Sequence, residues 1–146
     1  MLTANDVARY FLSLADDDAG DVISHLKMQK LCYYAQGFSL AIHDEPLFNE
    51  RIEAWQHGPV IPAVWHEYKV YGSYGIPAPG DLDDELYDAK TKKLLDEVWD
   101  VYGQFSAWKL RNMTHEETPW IEAWASPDKT ISNASLKRYF ETLVED

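Results

Sequence analysis

Residues 24–43 read SHLKMQKLCYYAQGFSLAIH, and they form the longest helical segment that the sequence predicts. Its apolar side chains recur at spacings of three and four residues, as they do on one face of an α-helix. They are Met28, Leu31, Cys32, Ala35, Phe38 and Ile42, with Tyr34 and Leu40 widening the stripe. A helix that is apolar over so wide an arc is usually the central helix of its domain. We therefore expect the remaining segments to pack around residues 24–43.

Six further segments carry helical periodicity or a helix-start signal. They are residues 3–14, 60–71, 89–102, 106–113, 118–125 and 132–143, with Thr3, Ser106, Thr118 and Ser132 as cap residues. Alternation over 51–55 predicts one short strand, which Gly58 and Pro59 end. Residues 72–80 are rich in Gly and Pro and predict an irregular loop. The sum is a mainly α fold: a single compact helical domain, residues 1–146, of about six to seven helices with at most a small β element.

Composition limits the class of protein further. The 146 residues are 46% hydrophobic and 14% aromatic, so the chain is long and apolar enough to build a core and is not globally disordered. No apolar run approaches the roughly 18 residues of a membrane span, and residues 1–10 lack the apolar core of a signal peptide. We expect a cytoplasmic protein with no membrane partner. The net charge of −12 disfavours direct nucleic-acid binding and favours a basic protein partner.

The residues give no support for catalysis. The five histidines form neither an H-x3-H pair nor an HExxH motif, so we expect no metal site. The sequence contains neither GxxxxGK(S/T) nor GxGxxG, the glycine-rich motifs that bind nucleotide phosphates, and we expect no cofactor. Cys32 lies in the apolar register of residues 24–43, where a small core residue is the better interpretation than a nucleophile. We predict a protein that is not an enzyme and has no catalytic residues.

Three strings each join polar residues to aromatic residues at a helix end: residues 27–36, 53–62 and 114–120. Gly58 and Pro59 are expected to set a tight entry into the third helix. His115 is placed to bond a loop carbonyl and pin its turn. The favoured interpretation of these strings is structural rather than direct partner contact.

Read in this order, the strings resemble the Panacea domain of SocA-like antitoxins and phage-associated GepA-type proteins. That family reads K-L-x-K-L-x-Y-Y-A-Q, then A-W-x-x-G-P-V, then T-H-x-E-x-P-W. The matching signature residues are Lys30, Leu31, Tyr34, Trp55, Gly58, Pro59, Val60, Thr114, His115, Pro119 and Trp120. Met28 stands where the family usually has Leu, and Glu117 supplies the family's glutamate.

The resemblance implies an antitoxin of a bacterial or phage toxin–antitoxin system that neutralises its cognate toxin by direct protein–protein binding. It implies no enzymatic activity. Many family members carry an appended DNA-binding domain, which this sequence does not show. One alternative is a proteolytic adaptor that delivers a toxin to a ClpXP-type protease as a second partner. Another is an acidic nucleic-acid mimic, which is disfavoured because the carboxylates are scattered over several segments.

Two sets of residues follow as expectations. The first is a core around the second helix, formed by Leu31, Ala35, Phe38, Val64, Tyr68, Val98, Trp120 and Phe140. The second is a set of toxin contacts in a loop expected to be too irregular to bury well, with carboxylates that steer a basic partner. These candidates are Tyr74, Ile76, Asp81, Asp83, Asp84, Glu85 and Tyr87. The acidic loop at residues 16–21 is the next candidate surface.

Overall fold

The computed structural model describes residues 1–15 and 22–144, and the acidic loop predicted at residues 16–21 lies outside this range. Within the described ranges the chain forms seven α-helices and three short strands. The helices are α1 (Ala4–Leu14), α2 (His25–His43), α3 (Pro62–Tyr68), α4 (Ala89–Tyr102), α5 (Ala107–Thr114), α6 (Thr118–Trp124) and α7 (Asn133–Glu141). The strands are β1 (Ile52–Trp55), β2 (Gly58–Val60) and β3 (Thr130–Ile131). The predicted mainly α fold with a small β element is confirmed.

Three of the four predicted cap residues cap their helices. Thr3 forms a full capping box, in which its hydroxyl accepts from the Asp6 N–H and the Asp6 carboxylate accepts from the Thr3 N–H. Ser106 and Ser132 cap α5 and α7. The cap predicted for α6 is wrong by one position, because Glu117 is the N-cap and Thr118 and Pro119 follow it inside the helix. The Glu117 side chain does not cap the helix; it points into the core instead.

Helix α2 is central, as the sequence predicts, and α1, α3, α4, α5 and α7 all contact it. The contact with α7 is tight, because a Cβ on Gly37 would lie 2.3 Å from the Phe140 ring. Seven of the eight predicted core residues are buried in one hydrophobic cluster. Phe38 is the exception: it packs against the core but is only half-buried.

The three strands form one antiparallel sheet in the order β2-β1-β3. The prediction that Gly58 and Pro59 end the strand region is wrong, because both belong to β2 and pair with β1 through Trp55↔Gly58 and Ala54↔Pro59. The chain reverses at residues 56–57, and Gly58 adopts a φ of +115° there. Pro59 is tolerated because β2 is an edge strand.

The region after the sheet contains less helix than predicted. Val60 remains in β2, α3 ends at Tyr68, and a 3-10 turn covers Lys69–Tyr71. Residues 72–83 are irregular, as expected, and a single 3-10 turn covers Asp84–Leu86. Helix α4 has the predicted bounds. Val101 fits the apolar periodicity of α4 but is 50% exposed, and Ile42 of the α2 stripe is 46% exposed.

In the described ranges, no helix combines the length and the apolar character that crossing a membrane requires.

Candidate functional site

The signature residues come together on one side of the molecule, where the first half of α2 meets the β1–β2 hairpin and the α5–α6 junction. Most of them are buried: Lys30, Leu31, Tyr34, Gly58, Pro59, Val60, Thr114, Pro119 and Trp120. Trp55 and His115 are half-buried at the edge of this layer. The three strings that are distant in sequence therefore form a single packed unit.

Lys30 lies at the centre of this unit with 0% exposure. Its Nζ has no hydrogen-bond partner among the described residues. A Cβ on Gly58 would lie 2.7 Å from Lys30 Cε and 3.0 Å from Thr114 Oγ1, so a larger residue would have to displace the end of the lysine, and the φ of +115° also favours glycine here. Burial, and then the nearby Arg111 charge, lower the pKa of Lys30 to about 7.

A second buried group ties α6 to α2. The Glu117 carboxylate accepts hydrogen bonds from Tyr33 Oη at 2.8 Å and Tyr34 Oη at 2.9 Å. Burial raises the pKa of Glu117 to about 7, although the hydroxyls of Tyr33, Tyr34 and Tyr139 act in the opposite direction. Burial, together with the Glu117 carboxylate, raises the pKa of both Tyr33 and Tyr34. The glutamate of the third string and the adjacent tyrosines of the first are thus one hydrogen-bonded cluster.

The hairpin is held from the other side by His115 and Trp120. His115 Nε2 lies 2.8 Å from the Gln56 carbonyl oxygen, and its Nδ1 lies 2.7 Å from the Arg111 carbonyl oxygen. Trp120 Nε1 donates to the Trp55 carbonyl oxygen at 2.9 Å. The two side chains also pack together, with ring centroids 4.0 Å apart. The prediction that His115 pins a loop carbonyl is confirmed.

Two glutamines of α2 have roles that the sequence analysis missed. Gln29 Oε1 accepts from the Ile61 N–H at 2.7 Å, where the chain enters α3. Gln36 Oε1 accepts from the Leu47 N–H at 2.8 Å, and its Nε2 donates to the Phe48 carbonyl at 2.9 Å. Polar side chains inside the register of a central helix need partners, and that was the available signal. Tyr33 and Glu117 are also polar side chains that need a partner when buried, so the same reasoning applies to them.

The side chains of this unit hold distant segments of the chain together. In residues 1–15 and 22–144 no group of three or more His, Cys, Asp or Glu side chains lies close enough to hold a metal ion. Cys32 is fully buried, as predicted, and burial raises the pKa of its thiol far above the usual value. Apart from the Lys30 amine, the polar groups described above bond one another or the backbone, so they fix the position of the hairpin and of the α5–α6 junction.

The predicted contact loop is only partly available at the surface. Tyr74 is 81% exposed, and Asp81, Asp83, Asp84 and Glu85 are exposed as expected. Ile76 and Tyr87, in contrast, are 8% and 3% exposed, so their placement as surface anchors is wrong.

Local bonds explain why these two side chains turn inward. The Ile76 N–H donates to the Ile23 carbonyl at 2.9 Å. Tyr87 Oη donates to the Asp6 carbonyl at 2.6 Å, and its ring lies against Tyr10. The segment therefore buries apolar side chains at both ends while it displays its carboxylates.

The described surface has several concavities that a partner can reach, and two of them are largely apolar. The first, here called the hairpin cleft, has a volume of about 480 Å³ and lies between Trp55, Trp65 and His25. The second, here called the α2–α4 groove, has a volume of about 440 Å³. It is lined by Phe38, Ile42, Leu94, Glu97, Val98, Val101, Tyr102, Leu143 and Val144.

The structure is that of a small helical domain in which the three signature strings pack into one buried unit. Residues 28–121 match the family model described as antitoxin SocA-like, Panacea domain. The chain belongs to that family, as its three strings indicate.

A curated relative is Antitoxin SocA of Caulobacter vibrioides (strain NA1000 / CB15N), which is 44% identical over 50 residues. The alignment covers 34% of this chain and 27% of the relative, so it spans little more than a quarter of the curated protein's length. No solved structure matches the chain.

Proposed function

We propose that this protein is the antitoxin of a toxin–antitoxin pair and neutralises its toxin by binding it directly. The observation that carries the proposal is the family match over residues 28–121, with the three signature strings packed as one unit. The similarity to a protein named Antitoxin SocA supports the same function. Residues 1–146 act as one domain in this proposal, which is supported by a single hydrophobic cluster joining α1 to α7.

The partner is a basic protein, and binding takes place in the cytoplasm. The net charge of −12 would attract a basic surface over a long range. The segment from residue 81 to residue 85 adds four exposed carboxylates, of which Asp84 pairs with Lys92 at 2.6 Å. Exposed charges of this kind raise association rates more than they slow dissociation. This segment therefore steers the toxin, and apolar contacts elsewhere hold it.

The test is co-expression of this chain with each neighbouring open reading frame under separate promoters. One neighbour should arrest growth when expressed alone, and this chain should restore growth and co-purify with the neighbour's product. Charge reversal of Asp81 and Asp83 to Lys should slow association and leave dissociation unchanged. Growth arrest that this chain does not relieve, for every toxic neighbour, would contradict the proposal.

The same strains decide between inhibition and delivery to a protease. A direct inhibitor leaves the level of the toxin unchanged while growth recovers. A proteolytic adaptor lowers that level, and the loss disappears in a strain that lacks ClpXP.

A further inference from the structure

We propose that the α2–α4 groove is the docking site for an amphipathic helix of the toxin whose apolar face is flanked by basic side chains. This inference rests on the proposed function and names the part of the partner that binds.

The groove is an apolar surface without a partner in the described structure. Three of its lining side chains remain strongly exposed: Ile42 at 46%, Val101 at 50% and Leu143 at 43%. They come from the end of α2, the end of α4 and the segment after α7. Exposed apolar side chains that gather around one groove, rather than lying singly, indicate an interaction site.

The floor of the groove is firm. Phe38 and Tyr102 lie 6.0 Å apart between ring centroids. Phe38 packs on Phe140 at 4.9 Å, and Tyr102 stacks on Tyr34 at 4.0 Å. Through Tyr34, the floor continues into the Glu117 cluster. A rigid floor lowers the entropic cost of binding because little has to be ordered when the partner arrives.

The lining favours a protein segment over a small molecule. Small-molecule sites hold several convergent polar groups that fix the orientation of the ligand. Among the described residues, Glu97 is the one charged side chain that lines this groove. Apolar helices bind such grooves through anchors spaced three and four residues apart.

The charged side chains at the edge of the α2–α4 groove determine which charges the bound helix should carry beside its apolar face. Glu97 and Asp100 are exposed, lie one turn apart on α4, and have no ion-pair partner among the described residues. On the same helix, Lys93 lies one turn before Glu97 and lines an adjoining concavity with Glu97 and Ile42, and Lys90 pairs with Glu45 at 2.5 Å. The unpaired carboxylates therefore lie towards the C-terminal end of α4, and a bound helix should place its own cations there, beside Glu97 and Asp100.

The experiment uses a synthetic amphipathic helix of Leu and Lys as the probe, and a Leu and Glu helix of the same pattern as its control. The key variant is Ile42→Asp. Its matched control is Ile121→Asp, because Ile121 is also helical and is 45% exposed. Both variants are first shown by thermal unfolding to keep the wild-type fold.

The wild type should bind the Leu and Lys helix and not the Leu and Glu helix. Ile42→Asp should weaken that binding by about ten-fold or more, as expected when an anchor pocket is lost, and Ile121→Asp should not. Glu97→Lys should move the preference towards the Leu and Glu helix. Equal binding by the Ile42 and Ile121 variants would overturn the proposal, and so would a dimer of the wild type that Ile42→Asp dissociates.

Growth rescue then separates this inference from the proposed function. If the wild type rescues growth and Ile42→Asp rescues it equally well, the groove is not the docking site although the antitoxin function stands. If the wild type rescues no toxic neighbour, the antitoxin function fails, and the peptide titration still decides what the groove binds.

Discussion

The two halves of α2 differ in how they use their side chains. The first half directs Gln29, Lys30, Tyr33 and Gln36 into the protein, where the tyrosine and the glutamines bond distant segments of the chain. The second half, from Gly37 to His43, is largely apolar, and its Phe38 and Ile42 open onto the α2–α4 groove. One helix thus fixes the fold at one end and offers a surface at the other.

The largest effect on stability is expected from substitution of Phe140, which contacts both halves of α2. The Phe140 ring contacts Tyr33 at 5.6 Å in the first half and Phe38 at 4.9 Å in the second. We expect Phe140→Ala to lower the free energy of unfolding by about 3–5 kcal/mol. Urea unfolding measures the change, with the exposed Leu143→Ala as the control. A loss for Phe140→Ala no larger than that of the control would show that the two halves do not share this residue.

The next prediction concerns Lys30, in the first half of α2. The pKa of Lys30 is about 7 in the folded protein and 10.5 when exposed, so the buried amine destabilises the fold at neutral pH. We expect Lys30→Met to raise the free energy of unfolding at pH 7 by roughly 3 kcal/mol. The stability of the wild type should rise from pH 7 towards 10.5, and that of the variant should lack this rise.

Lys27 provides the matched control for that experiment. It is also buried on α2, but its Nζ donates to the Gly103 carbonyl at 2.6 Å. Lys27→Met should therefore destabilise the protein. Destabilisation by both substitutions would mean that Lys30 has a partner in solution.

Glu117 should give the opposite pH dependence. Its pKa is about 7 when folded and 4.5 when exposed, so the folded state retains a proton that the unfolded state loses. The protonated Glu117 stabilises the fold fully below pH 4.5. This stabilisation is lost as the pH rises to 7, and the free energy of unfolding changes by roughly 3 kcal/mol in total. Glu117→Gln should remove this slope, whereas Glu116→Gln, at an exposed neighbour, should keep it.

The difference between wild type and variant is the quantity to measure. Burial lowers the pKa of His25 to about 4, which adds an opposing slope in both proteins that cancels in the difference. A difference that does not vary between pH 4.5 and 7 would contradict the burial of an ionisable carboxyl group at this place.

The smallest effect separates backbone strain from close packing. Gly58 and Gly72 both have positive φ, at +115° and +57°. A Cβ on Gly58 would meet Lys30, whereas nothing lies within 4 Å of a Cβ on Gly72. Gly58→Ala should therefore cost about 2 kcal/mol more than Gly72→Ala in chemical unfolding. Equal losses of stability for the two substitutions would show that close packing of Gly58 against Lys30 has no effect.

Much of the helical framework could be predicted from the sequence because its signals are local. Periodicity located α2 and α4, and hydroxyl caps located the starts of α1, α5 and α7. The second strand was missed because Gly and Pro normally break structure, and its pairing depends on a neighbouring strand that propensity does not consider.

The site was less predictable because it depends on long-range contacts. The signature residues could be named from their pattern, but the bonds from Tyr33 and Tyr34 to Glu117 join positions more than 80 residues apart. Ile76 and Tyr87 were assigned to the surface because irregular segments usually stay there. The groove could not be predicted, since Val101 and Ile42 fit the apolar stripes of their helices and only the packed structure leaves them uncovered.

The close contact between Gly37 and Phe140 has a consequence for synthesis of the protein. About 100 residues must follow Gly37 out of the ribosome before Phe140 can close over the middle of α2. Until then the nascent chain exposes Tyr33, Tyr34 and Phe38, and the floor of the groove is incomplete. Translation of α7 is therefore the step that completes the core and the groove, and a chain cut short before it is expected to be degraded.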